Sequence, residues 1–167
     1  MEINSYNTVF LSLGTNQGDR FLNIENTLSK ITDQAGEIYL KSPIYENPPL
    51  DFDAELYFYN LCIGIKTKLN PQDLLFVIQQ IESELGRKNK TLARQYTSRI
   101  IDIDIIFFND IVFESENLTI PHLLFRKRNF VLLPMRDIAP MFIDPSTGFT
   151  VDYLSSNCID KSVLLKV

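Results

Sequence analysis

The run Ile101-Asp102-Ile103-Asp104-Ile105-Ile106 allows few folded environments. Alternation with period two reads as a β-strand, so the isoleucines and the aspartates point to opposite faces. The two carboxylates then share one face, with Cα atoms roughly 6.6 Å apart. Aspartate is disfavoured in strands, and two of them inside an isoleucine-rich one ask for a reason. A wet face of an amphipathic strand is one. A site for a hard, oxygen-liking cation such as magnesium carried on a nucleotide polyphosphate is the other.

The elements around that strand follow from local pattern. Val9 to Leu13 is a buried strand meeting the turn Gly14-Thr15-Asn16-Gln17-Gly18. Phe21, Ile24, Leu28 and Ile31 keep helical spacing up to Gly36. Ile38, Leu40 and Ile44 suggest a strand in which Pro43 suits an edge or a bulge. Leu61, Ile63 and Ile65 alternate with Asn60, Cys62, Gly64 and Lys66, again a strand with one buried face. Asn70 caps a second helix, Pro71 takes its first position, Leu74, Leu75, Ile78, Ile81 and Leu85 form its stripe, and Gly86 closes it. No apolar period runs from Arg87 to Arg99; a connection of that length inside a compact domain tends to be functional or disordered. The strand Ile100 to Phe108 follows, then a return at Ile111-Val112-Phe113 and a helix from Phe130 to Ile138. Strand, helix, strand, strand, helix, strand is the order of an α+β, ferredoxin-like βαββαβ sandwich: an antiparallel sheet with helices on its faces, here with a C-terminal extension.

The 167 residues, 45% of them apolar, suit a single domain over 1–167. No apolar run is long enough for a bilayer and the N-terminus lacks a signal pattern, so a cytoplasmic protein is expected. Cys62 and Cys158 are far apart and read as buried thiols in a reducing compartment. Net charge is −5, yet residues 86–101 carry Arg87, Lys88, Lys90, Arg94 and Arg99 and no acid. An acid-free basic stretch in an acidic chain suits a small polyanion better than duplex nucleic acid. A second basic knot, Arg126-Lys127-Arg128, is either a solvated face or, with the only histidine, His122, part of a phosphate site.

Several motifs in order, Leu-Gly-Thr-Asn at 13–16, Tyr-x-Asn-Pro-Pro at 45–49, Gly-Arg at 86–87, Ser-Arg-x-x-Asp-Ile-Asp at 98–104 and Leu-Thr-Ile-Pro-His at 118–122, resemble one family. It is the 6-hydroxymethyl-7,8-dihydropterin pyrophosphokinases, and the resemblance runs on through Arg128-x-Phe130 and Ile138-Ala139-Pro140. It implies transfer of diphosphate from ATP to the hydroxymethyl group of a reduced pterin, with two Mg2+ ions held by Asp102 and Asp104. Arg87, Arg99 and His122 complete the implied catalytic set. Leu75, Gln79, Glu82, Lys90, Tyr96, Ile105, Thr119, His122 and Arg128 match the ATP side. Asn47, Pro48, Leu50, Phe58, Asn60, Asp102 and Phe130 match the pterin side, with the two phenylalanines as walls and Asn60 reading the ring edge. The partners expected are these two small molecules, with no nucleic acid, no membrane and a monomeric chain. Phe58 stands where tyrosine is usual, and Asn117 replaces a basic residue near the nucleotide. A different Mg-dependent phospho- or nucleotidyltransferase, and a ferredoxin-like RNA-binding module, are the competing readings; the acidic pair and acidic total charge oppose the second.

Overall fold

A computed structural model describes residues 5–47, 56–86 and 100–167. Strand β1, Asn7–Thr15, leads into helix α1, Arg20–Gln34, whose first turn is capped by Asp19 accepting the Leu22 N–H. Gly36 does follow the helix, but its φ is not left-handed. A Cβ there would lie 2.3 Å from the Lys66 carbonyl oxygen, so glycine is required by the passing backbone. Helix α2, Pro71–Glu84, has the expected Asn70 cap on the Asp73 N–H, and Gly86 closes it at φ +101°.

The strand expected through 38–45 is two strands. Glu37–Lys41 (β2) and Tyr45–Asn47 (β3) both pair antiparallel with Phe58–Thr67 (β4), on either side of Pro43. Proline has no N–H for the ladder, and Ser42 bridges the gap: its N–H donates to the Cys62 carbonyl at 2.9 Å, and its Oγ accepts the Cys62 N–H at 3.0 Å. Asp102–Phe108 is β5. The return strand expected at 111–113 keeps only Phe113, in a separate ribbon of Phe113–Glu114 (β6) with Thr119–Ile120 (β7). The chain turns away at Asn109, whose φ is +47°. Helix α3, Asn129–Ile138, occupies the stretch expected to be helical, and α4, Val151–Ser156, and a short strand β8, Leu165–Lys166, complete the chain. The main sheet runs β5-β1-β4-β3-β8, with β2 beside β4.

Both sheet faces are used. Val9, Leu11, Leu13, Leu61, Ile63, Ile65, Ile103 and Ile105 pack with Ile24 and Ile31 of α1 and Leu74, Ile78 and Ile81 of α2. On the opposite face Phe10, Cys62, Ile106 and Phe107 pack with Phe125, Val131, Leu132, Met135 and Val151. A bulge makes that second core possible: Leu11 pairs with Ile105 and Phe10 with Phe107, so Ile106 is the extra residue and joins Phe107 on the same side. Both cysteines are buried and not disulfide-bonded, and burial pushes the Cys62 thiol up out of reactive range. No helix among the described residues is long and apolar enough to cross a membrane.

Candidate active site

The second core covers one end of its sheet face, and the other end is polar. The antiparallel registers place Asp102, Gly14, Asn60 and Tyr45 side by side across four strands, with Asp104 beside Ser12 in the next row of that face. Directly paired residues share a face, so the two carboxylates, both partly exposed, lie in line with the buried amide of Asn60. Gly14 makes the row possible. A Cβ there would stand 2.8 Å from Asn60 Oδ1 and 3.9 Å from the Phe58 ring. Asn60 is 3% exposed, and its Nδ2 donates to Asn47 Oδ1. That contact fixes the amide and turns its oxygen over Gly14. Phe58 pairs with Asn47 one step further along the same face, so Phe58, Asn60 and Asn47 are brought together as expected.

Strand β5 is a sheet edge, and edges carry backbone groups that need partners. Glu82 supplies one: its Oε1, on a side chain 2% exposed, accepts the Ile103 N–H at 2.8 Å, between the two aspartates. The His122 N–H donates to the Ile106 carbonyl at 3.1 Å, after the cis Ile120–Pro121 bond. His122 Nδ1 accepts the Leu124 N–H at 3.1 Å, so the neutral ring carries its proton on Nε2. That nitrogen faces Asp104 Oδ1 at 3.8 Å.

Beside this edge lies a pocket of about 340 Å³ bordered by Leu75, Asp104, Ile105, Thr119, His122 and the segment Glu116–Leu118. Four residues of the expected ATP set thus meet there: Leu75, Ile105, Thr119 and His122. Gln79 and Glu82 do not line it; Gln79 is exposed on α2, and Glu82 is turned inward to Ile103. Ile103, Leu118 and Leu123, which the sequence places inside or next to the quoted motifs, also border the pocket, as does Glu116, which no motif marks. Leu123 is a large apolar side chain left 71% exposed at the pocket. Gly14, expected in a turn, sits inside β1.

Of the basic knot, Arg126 is not available for phosphate. Its Nε and guanidinium nitrogen donate to Asp144 at 2.6 and 2.9 Å. Arg128 instead places its guanidinium 5.6 Å from the centre of the Phe130 ring at the start of α3. Asp144 is fully buried; burial opposes its ionisation, but bonds from Arg126, the Thr147 hydroxyl and the Ser146 N–H outweigh it and hold the carboxyl below its usual value. Its contribution to stability is therefore complete above the unfolded value of about 4 and is lost as pH falls through the lower folded value. Asp144→Asn should cost about 1.5–3 kcal/mol at neutral pH. The gap from the parent protein should close on acidification in urea melts run at pH 7 and below pH 4; a gap independent of pH would refute the ionic role.

Arg87, Lys90, Tyr96 and Arg99, with the basic segment 87–99, and Pro48 and Leu50 lie outside the described residues. Among the described residues no group of three or more His, Cys, Asp or Glu side chains forms a metal cluster. Among the described residues, Asp102 and Asp104 are the two acidic side chains that this sheet face presents together.

Fold and site together define an antiparallel α/β sandwich with carboxylate, amide and imidazole groups gathered at one end of the sheet. The chain belongs to the 7,8-dihydro-6-hydroxymethylpterin-pyrophosphokinase (HPPK) family, whose profile matches residues 10–140. It is 40% identical over 151 residues to the folic acid synthesis protein FOL1 of Dictyostelium discoideum, covering 90% of this chain and 22% of that protein. It is 37% identical over 135 residues to the 2-amino-4-hydroxy-6-hydroxymethyldihydropteridine pyrophosphokinase of Porphyromonas gingivalis, covering 79% of this chain and 90% of that one. The crystal structure of Plasmodium falciparum HPPK-DHPS superposes with a TM-score of 0.76 at 21% identity, over 93% of this chain and 45% of that one. The chain thus spans about a fifth of the length of FOL1, as its 22% coverage states.

Proposed function

We propose that this chain transfers diphosphate from ATP to the hydroxymethyl group of 6-hydroxymethyl-7,8-dihydropterin, in folate biosynthesis. The observation that carries this reading is the row of Asp102, Gly14 and Asn60 on one sheet face, with the pocket bordered by Asp104 and His122 at its edge. It offers a polar edge-reader for a heterocycle and a pocket for the nucleotide side by side. The hydroxyl oxygen bonds to the β-phosphorus, the bridge to the α-phosphate breaks, AMP leaves and the hydroxyl proton is released.

Two partly exposed carboxylates, two residues apart on one face, suit Mg2+, which favours oxygen ligands and keeps water and phosphate in the rest of its shell. Two such ions held by Asp102 and Asp104 would neutralise charge on the triphosphate. The chain's own groups do the positioning. His122, its Nδ1 satisfied by Leu124, can donate from Nε2 to a phosphate oxygen. Arg87, Lys90, Arg99 and Arg128 supply positive charge, and Tyr96 and Gln79 belong to the nucleotide side. Asn47, Pro48 and Leu50 frame the pterin between Phe58 and Phe130. Glu82 serves the nucleotide side indirectly, through the Ile103 N–H that it holds between the aspartates.

The order β5-β1-β4-β3, with α1 and α2 on one face, supports the ferredoxin-like reading. A single domain over 1–167, a monomer and a cytoplasmic site of action complete the proposal. Incubation with ATP, Mg2+ and the hydroxymethyl-dihydropterin should give AMP and the pterin diphosphate; ADP or an adenylated pterin would assign a different transferase.

A further inference from the structure

Residues 158–167 span from α3 to β3, the elements that carry Phe130 and Asn47. Helix α3 begins without a side-chain cap of its own, since Arg128 at the cap position makes no such bond. The cap comes from 31 residues further on: Asp160 Oδ2 accepts the Asn129 N–H at 2.9 Å. Its other oxygen accepts the Ser162 N–H at 2.9 Å, and the Asn129 side chain donates to the Ser162 carbonyl at 2.9 Å, closing a ring of three bonds. The bonded amide is the peptide link between Arg128 and Asn129, so it fixes the direction in which Arg128 and Phe130 leave the helix start. Negative charge at a helix N-terminus is favourable in itself. The bonds from Ser162 and Asn129 outweigh burial and keep this carboxyl below its usual value, hence ionised at neutral pH.

From there the chain crosses to the sheet. Leu165 and Lys166 pair with Glu46 and Tyr45 of β3, and the Val167 N–H donates to the Ile44 carbonyl at 3.0 Å. Lys166 Nζ lies 3.8 Å from Asp137 Oδ2 on α3, the same oxygen that accepts the Tyr45 hydroxyl. The segment is thus tied to α3 at one end and to β3 at the other, and it lies beyond the stretch, 10–140, that matches the family profile.

We propose that this C-terminal strap sets the distance between the Phe130 wall and the Asn47–Asn60 floor, with Asp160 as the positioning residue that makes the site tight for the pterin. The inference rests on the site reading given above. In the 167-residue chain, Asp160→Ala, Asp160→Asn, Asn129→Ala and Phe130→Ala are compared by titration with the pterin and, separately, with a non-hydrolysable ATP analogue. Asp160→Ala should weaken pterin binding roughly three- to tenfold, the scale of a lost helix cap, and leave the ATP analogue within about twofold. Asn129→Ala should act in the same direction, and Asp160→Asn, which keeps an acceptor oxygen, should recover most of the affinity. Pterin binding unchanged in Asp160→Ala while Phe130→Ala weakens it would overturn the strap and leave the site reading standing. Loss of both ligands in equal measure would make Asp160 a support of the fold alone and also overturn it. Pterin binding unchanged in Phe130→Ala would overturn the site reading and the strap with it.

Discussion

Alanine at Asp102 or at Asp104 is expected to lower turnover by about two to three orders of magnitude, the scale of removing a group that stabilises developing charge. The fold should survive. Both side chains are partly exposed and project from the face opposite the buried Ile103 and Ile105. Two like charges two residues apart also repel, so removing one relieves some electrostatic cost. Asn should fare little better than Ala, because it keeps the shape and loses the charge that a cation needs. The measurement is a steady-state rate at several Mg2+ concentrations beside a thermal melt. Near-normal turnover of both alanine variants would end the metal assignment, and a collapsed melt would show that the pair holds the fold.

The second large effect is expected at Asn60. Replacing it by alanine should weaken the pterin by about 1–3 kcal/mol, the cost of leaving a buried polar group unpaired, with the ATP analogue much less affected. Asn60 is buried, its Nδ2 is committed to Asn47, and its oxygen lies over Gly14. A site built to pair with a ligand's polar edge discriminates strongly against analogues that lack that edge. Gly14→Ala should act in the same direction while leaving the Asn60 side chain present, because a Cβ at 2.8 Å from Oδ1 forces the amide to move. Separate titrations with the two ligands decide the matter. Equal loss for both would mean that Asn60 supports the fold and does not read the substrate.

Much of the site was legible because its parts announce themselves locally. Alternation in Ile101–Ile106 and Leu61–Lys66 is enough to place Asp102 with Asp104, and Phe58 with Asn60, each pair on one strand face. Asn70, Pro71 and the stripe from Leu74 define α2 without help from the rest of the chain. Glu82 is placed by tertiary packing. Helical spacing puts it on one face with Gln79, but the packing of α2 against β5 buries one and exposes the other. Arg126 and Arg128 are alike in sequence as well, and only the position of Asp144, eighteen residues on, assigns the first to structure.

What the sequence determined by itself, then, was the type of the longer elements, β1, β4, β5, α1, α2 and α3, and the face on which their side chains lie. Those follow from steric rules that act over three or four residues. The tertiary structure decided which strands are neighbours and in which register: Gly14 between Asp102 and Asn60, Ile106 as the bulged residue, Ser42 bridging the break at Pro43, and the last residues of the chain beside β3. Such pairings join residues that are tens of positions apart. They are settled by burial of two cores on opposite sheet faces and by the need of every buried backbone group for a partner, conditions that no local stretch of sequence contains.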